Sequence, residues 1–178
     1  MKSIDIFPVT IFEDYLEVPN ELITGIKKEI DNDKSIYKTP IGWDGGVLSS
    51  FGTQSDLLYG KNYVETLIDK VLYIQQNHPA YDVFGKKYKF SYEIWWNYYT
   101  KGKFQEYHHH PNEIISGVWY LTDSDSNTVF CERGQKHKVL SEKGKIIVFP
   151  SWLAHYVEPT LNERITISFN CNFSGRNF

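Results

Sequence analysis

Apolar residues along this chain change their spacing once, near residue 88, which divides it into a helical part and a strand-rich part. At the start, Ile4, Ile6, Val9, Ile11 and Phe12 predict a short strand over 4–12, and Pro8 within it suits an edge position. Asn20 is placed to cap a helix whose apolar residues Leu22, Ile23, Ile26 and Ile30 recur at helical spacing. The polar run Asp31 to Ser35 ends it. Residues 36–60 show no period and carry Gly42, Gly45, Gly46, Gly52 and Gly60. A connection of that length in a small domain is a binding segment or lid about as often as an irregular packed loop. A second helix follows, with Asn62 and Glu65 as a capping pair and a stripe of Val64, Leu67, Ile68, Val71 and Leu72; it stops near His78-Pro79. From Tyr88 the pattern turns to about eight short strands, near 88–99, 104–110, 114–122, 127–132, 137–140, 145–150, 154–159 and 164–174. Turn residues separate them, so a mainly β jelly roll or barrel is expected, with the two helices packed on one outer face.

The length of 178 residues predicts a single domain spanning 1–178, a helical buttress over about 19–80 and a β core over about 87–175. A formal charge of −3 excludes a general attraction to nucleic acid or anionic membrane, and Arg133 to Lys138 reads as a solvated turn. No apolar stretch approaches the length of a membrane span, and the first residues lack a secretory core. The two cysteines, Cys131 and Cys171, lie in apolar strand-like runs. Reduced, buried thiols in a cytoplasmic protein are therefore expected.

Histidine is where chemistry enters. His108, His109 and His110 are consecutive, and His155 closes the segment Phe149-Pro-Ser-Trp-Leu-Ala-His155. Imidazole is the commonest ligand for iron, zinc and copper. On a strand, residues i and i+2 share a face about 7 Å apart, so His108 and His110 are the pair that can reach one ion while His109 points away. His155, from a distant strand, completes a set of three. Glu113 is a candidate carboxylate ligand that also fits a turn opened by Pro111-Asn112; His78 and His137 have no companions and read as surface residues.

Over nearly its whole length the chain resembles the iron(II)- and 2-oxoglutarate-dependent oxygenases, in particular a small branch from bacteria and phages. The resemblance runs through Ile6-Phe-Pro-Val-Thr10, Gly42-Trp43 and Ser55-Asp-Leu-Leu58, then Trp96-Asn97, His108-x-His110-Pro111 and Ser116-Gly-Val-Trp-Tyr-Leu121. It closes with Phe149 to His155 and Arg164-Ile-Thr-Ile-Ser-Phe-Asn170. It implies a double-stranded β-helix, that is, a jelly roll. It implies Fe(II) held by His108, His110 and His155, with 2-oxoglutarate as cosubstrate. Arg164, nine residues after His155, would pair with the far carboxylate of 2-oxoglutarate, and Thr166 would share it. Asn97 and Tyr99 match the Asn-x-Tyr pattern of the nucleic-acid-demethylating members and would face the cosubstrate, as would Asn170. The reaction implied is hydroxylation of a small molecule or protein side chain, with succinate and CO2 as coproducts. No nucleic acid or membrane partner is expected, and besides the substrate a second copy in a homodimer is a partner to consider.

One departure bears on the metal. The family's usual triad is two histidines and a carboxylate, whereas position 110 is His. Three neutral ligands leave the site one unit more positive, which favours an anionic cosubstrate and also suits catalytic zinc. The alternative reading is a cupin. Gly102, His108 and His110 match the opening of its first motif, and Gly144, Pro150 and His155 imitate its second. Trp152 replaces the expected glycine, and Glu113 falls too close to His110. A metabolite-binding jelly roll with an incidental metal is a further alternative. Trp119, Tyr120 and Trp152 read as core residues or pocket walls.

Overall fold

The alternating segment from residue 88 becomes eight antiparallel strands: β3 (Tyr88–Tyr99), β4 (Gln105–His108), β5 (Ile115–Tyr120), β6 (Ser124–Glu132), β7 (Gln135–Ser141), β8 (Lys145–Pro150), β9 (Ala154–Val157) and β10 (Arg164–Arg176). Before them come β1 (Phe12–Tyr15), α1 (Asn20–Asn32), β2 (Leu48–Ser49) and α2 (Asn62–Asn77). The computed structural model describes residues 9–32, 37–53, 55–77 and 88–176. Residues 4–8 of the expected first strand, the end of the polar run after α1, and His78-Pro79 lie outside them.

Two sheets result, one of order β1-β8-β5-β10-β3-β2 and one of order β4-β9-β6-β7. Facing each other, they form the jelly roll. Strand geometry sends successive side chains to opposite faces, and here the two faces do different work. On one, Ile94 and Trp96 of β3, Ile115 and Trp119 of β5, and Ile165, Ile167 and Phe169 of β10 join Leu22, Ile26 and Ile30 of α1 and Val64, Leu67 and Val71 of α2. That is the helical buttress, and each fully buried aliphatic side chain in it contributes about 1.5–3 kcal/mol. On the other face, Val118 and Tyr120 pack with Ile147, Phe149, Phe130 and Val139 between the sheets. Gly117 permits a close approach. A Cβ there would stand 2.1 Å from the ring of Phe169, its partner on β10.

Several boundaries differ from expectation for local reasons. The first described strand is 12–15 rather than 4–12, paired with β8 from Phe12↔Val148 to Tyr15↔Lys145. Ion pairs flank it: Asp14 pairs with Lys70, and Glu13 lies near Lys145. Helix α2 starts at Asn62 itself, the expected cap, because Val64 N and Glu65 N both donate to Lys61 O, which makes Asn62 helical already. Inside the aperiodic segment, β2 pairs Leu48↔Tyr98 and Ser49↔Asn97, which ties the loop to β3. Cys171 is buried, and burial pushes its thiol up to about 12; Cys131 is half-buried, and both are free thiols. No helix among the described residues is long and apolar enough to cross a membrane.

Candidate active site

β4 and β9 pair antiparallel, with Gln105 opposite Val157 and His108 opposite His155. Three residue steps on β4 match two on β9, so a bulge lies between. It carries both Gln105, which is buried, and His108 to the cavity side, although simple alternation would separate them. The strand ends at His108, earlier than the expected 104–110. His110 lies beyond it, placed by its N–H, which donates to Ser151 O at 2.8 Å, just before the Pro111-Asn112 turn.

The three rings nonetheless converge. One nitrogen from each of His108, His110 and His155 lies within 4.8 Å of the others. Ring centroids are 4.3 Å apart for His108–His155, 5.1 Å for His108–His110 and 5.4 Å for His110–His155. Nδ1 of His108 stands 2.7 Å from Glu106 O, and Nδ1 of His155 stands 2.9 Å from Leu153 O. A carbonyl only accepts, so both Nδ1 atoms carry the proton and both Nε2 lone pairs are free for a cation. Burial lowers the pKa of all three rings, helped by the neighbouring histidines, to about 4 for His110 and well below 6.5 for His155. They are therefore neutral, ligand-ready imidazoles at pH 7. His109 and His137 are exposed, and Glu113 lies outside the converging group, which holds no carboxylate.

Arg164 starts β10 on the same inner face and is 1% exposed. Its Nη2 donates to Thr128 Oγ1 at 3.0 Å, while Nε and Nη1 are buried with no partner. The guanidinium carbon lies 4.7 Å from the Tyr99 ring centre and 5.3 Å from that of Tyr120. No carboxylate of the described residues pairs with it, so a buried cation presents two free donors. Thr166 and Asn170 follow on the same face, both buried. Asn97 accepts from Ser49 Oγ at 2.8 Å and donates to Ser168 Oγ at 2.9 Å; Asn170 Oδ1 accepts from Ser116 Oγ at 2.7 Å, and Ser116 also bonds Ser151. All five expected contact residues line one cavity of about 580 Å³ with the three histidines.

Sequence reasoning missed Thr128 and Gln105. Thr128 lies in a plain strand run, and its role shows only through its bonds to Arg164 and to Tyr120 Oη. Of the aromatic residues considered as walls, Trp119 packs outward toward the helices, Trp152 is 54% exposed, and Tyr120 lies against Arg164. The cavity's own aromatic wall is Trp43, Phe51 and Trp95.

No family model and no curated protein matches the sequence. Solved structures do match. A prolyl-4-hydroxylase from Pseudomonas putida superposes with a TM-score of 0.66 at 18% identity, covering 94% of each chain. A prolyl hydroxylase from Trichoplax adhaerens, in complex with a hypoxia inducible factor peptide fragment, gives 0.66 at 11% identity over 91% of this chain and 83% of the other. HygX from Streptomyces hygroscopicus, with nickel, 2-oxoglutarate and hygromycin B bound, gives 0.63 at 8% identity over 93% and 84%. This chain therefore has the double-stranded β-helix fold of the 2OG-Fe(II) oxygenases.

Proposed function

We propose that this protein is an Fe(II)- and 2-oxoglutarate-dependent dioxygenase that hydroxylates a small molecule or a protein side chain. The observation that carries the reading is Arg164. A buried guanidinium with two unpartnered donors faces the same cavity as three converging imidazoles. A buried cation is costly unless an anion meets it, and a carboxylate fits the fork of a guanidinium in bidentate fashion. The donor set fits a divalent metal as well: three neutral imidazoles, two of them with their other nitrogen anchored on a carbonyl.

In this reading His108, His110 and His155 hold the metal. Arg164 and Thr166 bind the far carboxylate of 2-oxoglutarate, while Asn97, Tyr99 and Asn170 shape its berth. Bound iron(II) with 2-oxoglutarate supplies the oxidation of a substrate C–H bond by dioxygen, with succinate and CO2 as coproducts. The chain itself contributes orientation and a dry floor: Tyr99, Tyr120 and Thr128 exclude water around Arg164. The absence of a ligand carboxylate leaves the metal more positive, which strengthens its hold on the keto acid. The cupin alternative loses support because Glu113 stands outside the converging group and Arg164 would have no task in it.

Anaerobic calorimetry tests this, with 2-oxoglutarate titrated into protein loaded with iron(II) or zinc(II), followed by succinate assay in air. Metal-dependent 2-oxoglutarate binding, and succinate formed with iron alone, are expected. Absence of both would sink the reading.

A further inference from the structure

Register divides the cavity into two ends. Arg164 faces Tyr99 at one, and Asn170 faces Glu93 at the other, six residues along β10, which is about 20 Å of strand. The far end is acidic. Glu93 and Glu113 line it, and neither forms an ion pair among the described residues. Burial raises the pKa of both, and the charge of Glu93 adds to the effect on Glu113, so the two carboxylates sense one another. Glu106 lines the cavity too, with Oε2 buried and unpartnered. Three carboxylates thus stand against a single guanidinium, the one Lys or Arg side chain of the cavity lining. Bound iron(II) and dianionic 2-oxoglutarate would cancel each other and leave that imbalance in place.

Two features point to what resolves it. Phe51 meets Trp95 edge-on at 5.0 Å, and Trp95 lies two residues from Glu93 on the same face of β3, so an aromatic pair borders the acidic end, while Trp43 stacks on Phe51 from the side of Tyr99. Trp95 is 4% exposed, lies on the cavity-facing side of β3, and its indole N–H has no partner. Aromatic faces beside carboxylates attract ammonium and guanidinium groups, and a buried N–H calls for an acceptor oxygen.

We propose that the outer end of this cavity binds a cationic substrate: an alkylammonium or guanidinium group carried near a carbonyl or hydroxyl oxygen. The cation lies between Glu93, Glu113 and the Phe51 ring, and the oxygen accepts from Trp95 Nε1. This deepens the oxygenase reading, on which it rests only in taking the cavity as the substrate site.

The test uses the full chain with manganese(II) and 2-oxoglutarate under argon, titrated calorimetrically with Nα-acetyl-lysine methylamide, the matching arginine compound and the neutral norleucine compound. A preference of about tenfold or more for the cationic probes over norleucine is expected, falling below about threefold in the double variant Glu93→Gln, Glu113→Gln. Trp95→Phe should weaken all three probes alike. Equal binding of norleucine, a preference that survives in the double variant, or no binding of any probe at millimolar concentration would overturn the proposal. The affinity of the wild-type protein for 2-oxoglutarate is read in the same samples. Its absence sinks the oxygenase reading, whereas probe discrimination reports on the outer end alone.

Discussion

Replacing Arg164 by methionine sets two effects against each other. Without cosubstrate, the guanidinium keeps one hydrogen bond to Thr128 and two ring contacts, worth together about 2–5 kcal/mol. Against them stand two unpartnered buried donors, at about 1–3 kcal/mol each, and the cost of taking a charge out of water. Methionine fills similar volume and removes the charge, and Thr128 keeps its bond from Tyr120 Oη at 2.8 Å, so no new orphan appears. The ligand-free variant should therefore be as stable as the wild type or more stable by about 1–3 kcal/mol. With cosubstrate the sign reverses. Losing two charge-assisted hydrogen bonds costs about 3–6 kcal/mol, or roughly a hundredfold to ten-thousandfold in Kd. Thermal unfolding reads the first effect, and calorimetry with 2-oxoglutarate and 2-oxobutyrate, which lacks the far carboxylate, reads the second. The wild type should prefer 2-oxoglutarate strongly and Arg164→Met should bind both alike. A variant that keeps the preference, or that unfolds far more readily without ligand, refutes the reasoning.

His155→Ala should lower metal affinity by about a hundredfold or more in a competition titration with a chelator, since it removes one of three donors. Its cost to metal-free stability should stay near 1–3 kcal/mol, because the ring packs on Phe149 at 4.8 Å. Metal-free protein should lose stability in acid. The folded rings hold pKa values below 6.5, so below that pH the unfolded chain binds more protons; stability is full above about pH 6.5 and falls as pH drops toward 4. Urea unfolding across that window checks it, and a flat profile would show that the rings take protons freely in the fold. Gly117→Ala should destabilise by about 3 kcal/mol or fail to fold, as its methyl meets Phe169 and the carbonyl of Ile147, read by chemical denaturation.

Much of this architecture was legible because it rests on alternation. The eight core strands fall close to where the turn residues separate them, and the helical stripes of α1 and α2 bury the residues their spacing indicates. His155 sits on a regular strand as its segment indicates, whereas Arg164 and Thr166 were expected through the resemblance to the oxygenases, which puts a basic residue about nine positions after the distal histidine. What escaped depends on partners distant in sequence. The bulge before His108 leaves no hydropathy trace and brings Gln105 to the cavity side. His110 reaches the cluster from outside any strand, through a backbone bond to Ser151 that spacing cannot reveal. β2 is two residues long and is defined by Tyr98 and Asn97 rather than by its own pattern. β1 is held at the sheet edge by its backbone pairing with β8, which apolar counting does not show.

β10 carries two interleaved messages. Its odd positions, Ile165, Ile167, Phe169 and Cys171, build the helix-packed side, while its even positions, Arg164, Thr166, Ser168 and Asn170, furnish the cavity. Substitutions at even positions can retune what is bound without touching the scaffold, and odd ones can change robustness without altering chemistry. Deleting one residue from the middle of this strand would exchange the two vocabularies beyond that point, setting aliphatic groups into the cavity and polar ones against the helices.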